Sequence, residues 1–190
     1  MAIAITLLVI DVRLPPLVGT VTDERLVAAL GELGSQAFAF TISFLVIAAF
    51  WLGHYRTFRW VARLDGRLIA LDFVFLFIVA SLPFPTSVVA SYGNLPAGTI
   101  FYAAWVAAGG LAASLLWIYP MRIAGLGVPS VTPDIARRVA WRTLVVPALF
   151  AASIPVAVVS PVAAEVMWIL SLPLQRVVSA RLRLSLTLGG

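Results

Sequence analysis

Residues Ser43 to Pro85 read SFLVIAAFWLGHYRTFRWVARLDGRLIALDFVFLFIVASLPFP, and this stretch decides the fold. Two long apolar runs are joined by a short segment that carries four arginines and one acid, Asp65. A helix needs about 20 apolar residues to cross ~30 Å of hydrocarbon. Because arginine-rich loops stay on the cytoplasmic side, the stretch predicts a transmembrane hairpin with its turn inside the cell.

The composition is that of an integral membrane protein. Of the 190 residues, 62% are hydrophobic and 11% are charged, and the mean hydropathy is +1.07. A soluble domain is usually only ~45–50% apolar. All 13 basic residues are arginine, and eleven of them (four, four and three) fall in residues 56–67, 122–142 and 176–183. Since these segments alternate with apolar spans, the arginines indicate membrane topology rather than a nucleic-acid surface.

The charge pattern predicts a single all-α membrane domain, residues 1–190, with six transmembrane helices and both termini in the cytoplasm. Residues 14–32 are net acidic and are expected outside, whereas residues 120–142 form a second inner loop. Pro83 and Pro85 are expected to kink or end the third span near the outer face. The predicted helices cover about residues 1–13, 33–55, 68–92, 97–119, 143–160 and 161–174, followed by a basic tail at 175–190.

The first predicted helix is short. Residues 1–10 would rise only ~15 Å, about half of the hydrocarbon thickness. The positive n-region of a signal peptide is missing, and Arg13 follows the apolar stretch instead of preceding it. We therefore expect a first transmembrane helix truncated at its amino terminus, with Met1 an internal methionine or a misassigned start.

The sequence contains none of the common catalytic motifs. It has no nucleotide-binding glycine loop, no pair of catalytic carboxylates, no Ser-His-Asp set and no HExxH motif. Without cysteine it can form no disulfide, and one histidine cannot make a multi-histidine metal site within one chain. The prediction is a protein that is not an enzyme and needs no cofactor.

Three polar residues near the membrane remain as candidates. Asp72 lies near the inner end of the third span, where it either pairs with Arg56, Arg59 or Arg67 or serves as a proton or cation site. Trp51 and His54 lie three residues apart on one helical face, and each has an N–H that needs a partner if buried. The alternative is an interfacial tryptophan beside a solvated histidine.

Two motifs in consecutive spans resemble one family. Phe50-Trp51-Leu52-Gly53-His54 and Leu82-Pro83-Phe84-Pro85-Thr86 resemble the bacterial members of the transmembrane protein 175 family, which are potassium-permeable channels related to the lysosomal potassium channel of animals. The run Ala2-Ile3-Ala4-Ile5-Thr6-Leu7-Leu8 is similar to the first helix of that family. The Arg-x-x-x-Phe-Ser-Asp motif that normally precedes this run is absent.

The resemblance implies a homotetrameric, potassium-permeable cation channel. Its pore would be lined by four copies of the first helix, with a hydrophobic constriction in place of a carbonyl filter. By this resemblance Ile3 forms the narrow constriction, Thr6 a polar ring, and Leu7 and Ile10 further apolar rings toward the outside. These positions follow the spacing i, i+3, i+4 and i+7, so one helical face can present all four.

The resemblance also implies partners and a location. Trp51 and His54 would support the pore helix by packing against it. The partners would be potassium ions, other copies of the chain and the lipid bilayer, with the protein multi-pass in the bacterial inner or plasma membrane. A proton-coupled transporter that uses Asp72 and a non-conducting membrane scaffold are the alternatives.

Overall fold

The computed structural model describes residues 2–10, 12–14, 16 and 21–169. Within this described part the regular elements are helices, and no strand occurs. The helices are α1 (Ala2–Ile10), α2 (Asp23–Glu32), α3 (Gly34–Phe58), α4 (Gly66–Ala80), α5 (Pro83–Tyr92), α6 (Pro96–Ile118), α7 (Pro133–Thr143), α8 (Val145–Val159) and α9 (161–169). A π-helical turn, Tyr119–Ile123, extends α6.

Four helical segments of the described part are long and apolar enough to cross a membrane. The all-helical membrane fold is therefore confirmed, while the count of six spans and the cytoplasmic termini stay predictions. The predicted sixth span, 161–174, extends beyond the described residues, and the tail at 175–190 lies wholly outside them. The four segments are Gly34–Phe58, Gly66–Tyr92, Pro96–Ile123 and Pro133–Val159.

Helix α6 forms the centre of the bundle. It packs against α3, α4, α5, α7 and α8. In the most apolar 18-residue stretch of the segment that contains α6, 56% of the residues are buried, against 22–33% in the same stretch of the other three segments. Two adjacent glycines allow this close approach, because an added Cβ would lie 2.8 Å from the Phe50 ring at Gly109 and 2.9 Å from the Pro147 ring at Gly110.

The third predicted span is interrupted at Ser81 and Leu82, between α4 and α5. Because Pro83 has no N–H, the N–H of Leu82 donates to the Val79 carbonyl at 3.3 Å, one residue tighter than in an α-helix. The Ile78 carbonyl that this leaves open accepts a hydrogen bond from Trp105 Nε1 of α6 at 3.1 Å. The break before the proline motif is thus tied to α6, and α5 continues the span beyond the break.

Backbone hydrogen bonds join the segment after α3 to the segment after α6. We call residues 60–63 and 126–128 the backbone clasp. At its centre the N–H of Ala62 donates to the Leu126 carbonyl at 2.8 Å, next to an isolated antiparallel bridge. The clasp brings the two arginine-rich loops predicted above to the same end of the bundle.

Two glycines shape the second segment of the clasp. Gly125 has a φ of 62°, in the left-handed region that glycine adopts without strain. At Gly127 an added Cβ would lie 2.6 Å from Met121 Sδ, so a larger residue would require the methionine to move. The chain therefore turns tightly after the π-helical turn and returns alongside the end of α3.

Two helices occupy segments that the sequence analysis assigned to loops. In the segment before α3, Thr22 caps α2 by accepting a hydrogen bond from the Arg25 N–H at 3.4 Å, and two acids follow in the first turn. Thr132 caps α7 in the same way, and Arg142 lies in its last turn. Both segments were predicted to be loops because they carry charged residues, although the capping residues of the two helices are present in the sequence.

Candidate functional site

Helix α1 has one packed face and one exposed face. Ala4 and Leu8 are buried, with 4% and 1% of their surface exposed, where α1 packs against α3, α4 and α5. Thr6, Leu7 and Ile10 are exposed, Leu7 by 43% and Ile10 by 55%. Three of the four predicted pore positions therefore share the exposed face of α1.

The fourth predicted pore position, Ile3, belongs to the first turn of α1. Its side chain lies outside the described part of the structure. The exposed face is also wider than the predicted pore positions, because Val9 is 57% exposed.

His54 on α3 binds Asp72 on α4. The His54 Nε2 and Asp72 Oδ1 atoms lie 2.7 Å apart, and each side chain is 24% exposed. The imidazole stacks on the Phe75 ring at 5.5 Å and lies 4.5 Å from the Phe58 ring. The expectation that Asp72 pairs with an arginine of residues 56–67 is wrong. Asp72 lies more than one helical turn after the start of α4, and its side chain contacts α3 instead of the arginine-rich loop before α4.

Trp51 does not share the surroundings of His54. It is 51% exposed, and its ring stacks on Tyr55 of the same helix at 5.9 Å. In the described part of the protomer the two residues therefore have separate contacts, although they lie three residues apart. Their role as packing support for the pore helix stays a prediction.

A buried polar network joins α3, α5 and α6. Ser43 Oγ lies 3.0 Å from the Tyr102 hydroxyl and 2.8 Å from Thr86 Oγ1, which is also 2.8 Å from the Leu82 carbonyl oxygen. Ser43, Thr86 and Tyr102 are each at most 3% exposed. The sequence analysis missed this network. Its signal was the presence of hydroxyl groups inside apolar spans, where each needs a partner.

Asp65 connects the start of α4 to the end of α6. Its Oδ2 accepts a hydrogen bond from the Tyr119 hydroxyl at 2.5 Å, and its Oδ1 accepts one from the Leu68 N–H at 2.8 Å. Because both bonds favour the carboxylate, the Tyr119 bond most, they hold the pKa of Asp65 below its ordinary value. The contact lies beside the backbone clasp and reinforces that end of the bundle.

The buried polar side chains of the described residues are hydrogen-bonded to other side chains or to backbone carbonyls. Every buried side-chain nitrogen or oxygen of the described residues has a hydrogen-bond partner. Across residues 2–10, 12–14, 16 and 21–169, no group of three His, Cys, Asp or Glu residues is placed to hold a metal ion. The exposed face of α1 is a candidate functional surface because it carries three of the four predicted pore positions.

Comparison with known proteins identifies the relatives of this chain. The TMEM175 family, described as endosomal/lysosomal potassium channel TMEM175, matches residues 1–83. A potassium channel of Streptomyces collinus is 36% identical over 141 residues, which cover 72% of this chain and 66% of that protein. A potassium channel of Chamaesiphon minutus is 40% identical over 93 residues, which cover 48% of this chain and 44% of that protein.

The fold also matches a solved structure. The crystal structure of a lysosomal potassium-selective channel TMEM175 homolog from Chamaesiphon minutus aligns with a TM-score of 0.76, at 23% identity, over 95% of this chain and 90% of that chain. At this identity the likeness shows the fold, which is that of a multi-pass helical membrane protein. Together with the sequence matches, it shows that the chain belongs to the TMEM175 family. The resemblance based on the Trp-x-x-His and proline motifs is thus confirmed.

Proposed function

We propose that the chain is a potassium-permeable cation channel that works as a homotetramer, with α1 from each copy lining the pore. The observation that carries the proposal is the exposed face of α1, which holds Thr6, Leu7 and Ile10. The two bacterial relatives are potassium channels by name. The chain spans 66% and 44% of their lengths. Their names support the proposal, and ion flux through this chain has to be measured directly.

Assembly around an axis explains why the two faces of α1 differ. The packed face holds α1 against its own bundle, and symmetry would place four copies of the exposed face around a central path. In that arrangement each layer of the path is a ring of one residue type. Thr6 forms a ring of hydroxyls, while Leu7 and Ile10 form apolar rings on its outer side.

The proposed selectivity follows from hydration. Helical spacing puts position 3 on the face of Leu7 and Ile10, where four isoleucines would form the narrowest ring. An apolar ring cannot replace an ion's lost hydration and tends to dewet, so it acts as a gate. Potassium sheds water more readily than sodium, and the Thr6 hydroxyls offset part of its loss. Selectivity for potassium over sodium should therefore be modest.

Ion flux through purified protein in liposomes tests the proposal. We expect potassium uptake in protein-containing vesicles and little in empty ones. Ile3→Asn should wet the constriction, raise potassium flux and bring sodium flux closer to it. Ile69→Asn is the matched control, because it makes the same change at a 44% exposed isoleucine of α4.

Three outcomes would contradict the proposal. Wild-type vesicles that pass no potassium would show that the chain does not conduct alone. If Ile3→Asn and Ile69→Asn both assemble and have the same flux and selectivity, the constriction lies elsewhere. Mass photometry of the purified protein measures the copy number, and a monomer or dimer would reject the tetramer.

Proton transport is the second candidate, and the His54–Asp72 pair favours it. The pair is partly buried between α3 and α4, and both side chains can exchange protons. If protons pass through this pair, His54→Gln should abolish vesicle acidification and leave potassium flux unchanged. Loss of both fluxes, or of neither, would instead assign the pair a structural role.

A further inference from the structure

A cavity of about 410 Å³ lies between α3, α6, α7 and α8. Its volume falls within the ~300–1,000 Å³ of typical small-molecule sites, and most of its lining is aliphatic or aromatic. On α3 the lining extends from Leu45 to Thr57, which is about 18 Å at ~1.5 Å per residue. This length is slightly more than half of a ~30 Å hydrocarbon core, so the cavity matches the depth of one leaflet.

The cavity is cationic at one end. Arg56, in the last turn of α3, and Arg142, in the last turn of α7, both line it, and none of the described residues that line it is acidic. Thr57 and Thr143 line the same end and add hydroxyl groups. This is the clasp end of the bundle, which the arginine pattern predicts to face the cytoplasm. An occupant with an anionic head and an apolar tail would match both parts of the cavity.

The cavity is open on the side of α3. A Cβ added at Gly53 would meet no atom within 4 Å, although Gly53 lines the cavity. Leu52 and Trp60, which also line it, are each 41% exposed. A molecule in the surrounding leaflet can therefore enter sideways, without crossing the packed core around α6.

We propose that this cavity binds an anionic glycerophospholipid of the inner leaflet, with its phosphate on Arg56 and Arg142 and one acyl chain along the apolar wall. A guanidinium group donates two parallel hydrogen bonds to the oxygens of a phosphate. Basic pockets between membrane helices bind lipid headgroups. None of the described residues of α1 lines the cavity, so the site is separate from the proposed pore. Lipid binding here does not depend on whether the chain conducts ions.

Lipid retention by the purified protein tests the site, with phosphatidylglycerol as the probe. Native mass spectrometry counts bound lipid after incubation with phosphatidylglycerol or with phosphatidylcholine of the same acyl chains. We expect the anionic lipid to bind at least tenfold more tightly, since each arginine near the surface contributes about a fivefold change in affinity. Arg56→Gln with Arg142→Gln should remove this preference.

The control variant carries the same charge change away from the cavity. Arg63→Gln with Arg138→Gln removes two exposed arginines from the same loops, and neither residue lines the site. This variant should keep the wild-type preference. A second pair tests the apolar wall without altering any charge. Gly53→Phe should fill the cavity and lower phosphatidylglycerol binding severalfold, whereas Gly34→Phe, at another open glycine of α3, should not.

Several results would overturn the proposal. Equal binding of the two lipids by the wild-type protein would do so without any variant. Equal losses in the two arginine variants would show only a general effect of charge. If inorganic phosphate displaces the lipid as well as phosphatidylglycerol does, the site binds anions without using its apolar wall. If Gly53→Phe retains as much lipid as Gly34→Phe, the lipid binds elsewhere.

Discussion

Helices α1 and α6 are both apolar on every side, yet they have different surroundings. α6 is packed by five other helices, and only a narrow stripe that includes Ala104 and Ala108 is exposed. α1 is packed on one side only, with Leu8 buried and the adjacent Leu7 exposed. Neither helix has a periodic polar face that would reveal this difference in advance.

The comparison shows what hydropathy leaves undetermined in a membrane protein. An apolar face can contact its own bundle, lipid or another copy of the chain, and all three environments favour the same residue types. Small residues distinguish the core helix, because glycine lets backbones approach. Thr6 distinguishes α1, because it is a polar residue on the exposed face, which is the face that the proposed pore uses.

The largest expected effect is on the core of α6. Gly110→Leu adds a side chain where the first carbon would already lie 2.9 Å from the rigid Pro147 ring. We expect loss of about 3 kcal/mol of stability or more, at the upper end of overpacking effects. Thermal unfolding in detergent measures it, with Ala108→Leu on the exposed stripe as the control. Equal melting temperatures would mean that α6 and α8 do not pack as described.

Adjacent leucines of α1 test its two faces. Leu8→Ala removes a side chain that is 1% exposed and should cost about 2–3 kcal/mol, as for other buried leucines. Leu7→Ala should leave the melting temperature nearly unchanged and alter ion flux instead. Measuring both properties on both variants separates packing from conduction. A larger stability loss in Leu7→Ala would reverse the assignment of the two faces.

The network that connects α6 to the α3–α5 pair should have a smaller effect. Thr86→Val keeps the shape of the side chain and removes a hydroxyl from the Ser43–Thr86–Tyr102 network, at a cost of about 1 kcal/mol. Combined with Ser43→Ala, the loss should be less than additive, because the two groups are bonded. Thr41→Val, at an exposed threonine of α3, is the control. Strictly additive losses would contradict the network.

The smallest expected effect is a shift in pH dependence at the end of α6. The Asp65 pKa is held below its ordinary 3.8, so Asp65 stabilises the fold above that pH and loses this effect as pH falls through the lowered pKa. Tyr119→Phe removes the main cause, so the pKa of Asp65 should return toward 3.8 and less stability should be lost as the pH falls. Melting temperatures from pH 2 to 6 measure the shift. Tyr92→Phe, at a 58% exposed tyrosine, should match the wild type.

The helical membrane fold could be predicted from the sequence because its signals are one-dimensional. Apolar length and the positions of arginine need no knowledge of neighbours. The helices α2 and α7 were missed because both are charged and too short to span a membrane. Thr22 and Thr132, which cap them, showed where each begins, so weighing capping above charge would have found both.

Pairwise contacts could not be predicted in the same way. Asp72 lies 18 residues from His54, and which residues face it depends on the rotation of α3 against α4. The arginines of the loop were nearer in sequence but not in space. The Ser43–Tyr102 contact spans 59 residues and depends on α6 being the central helix, which only the packed structure reveals.

The backbone clasp has a consequence for sequence drift among related chains. It is made of N–H and carbonyl groups, which every residue except proline supplies, so most of its side chains carry no information needed for the pairing. Gly127 is the exception within the clasp, because an added Cβ would lie 2.6 Å from Met121 Sδ, and Gly125 just before the clasp has a left-handed conformation that disfavours replacement. Arginines can therefore be gained or lost in both loops over many generations while the two hairpins stay joined. The charge on that surface can evolve separately from the architecture that displays it.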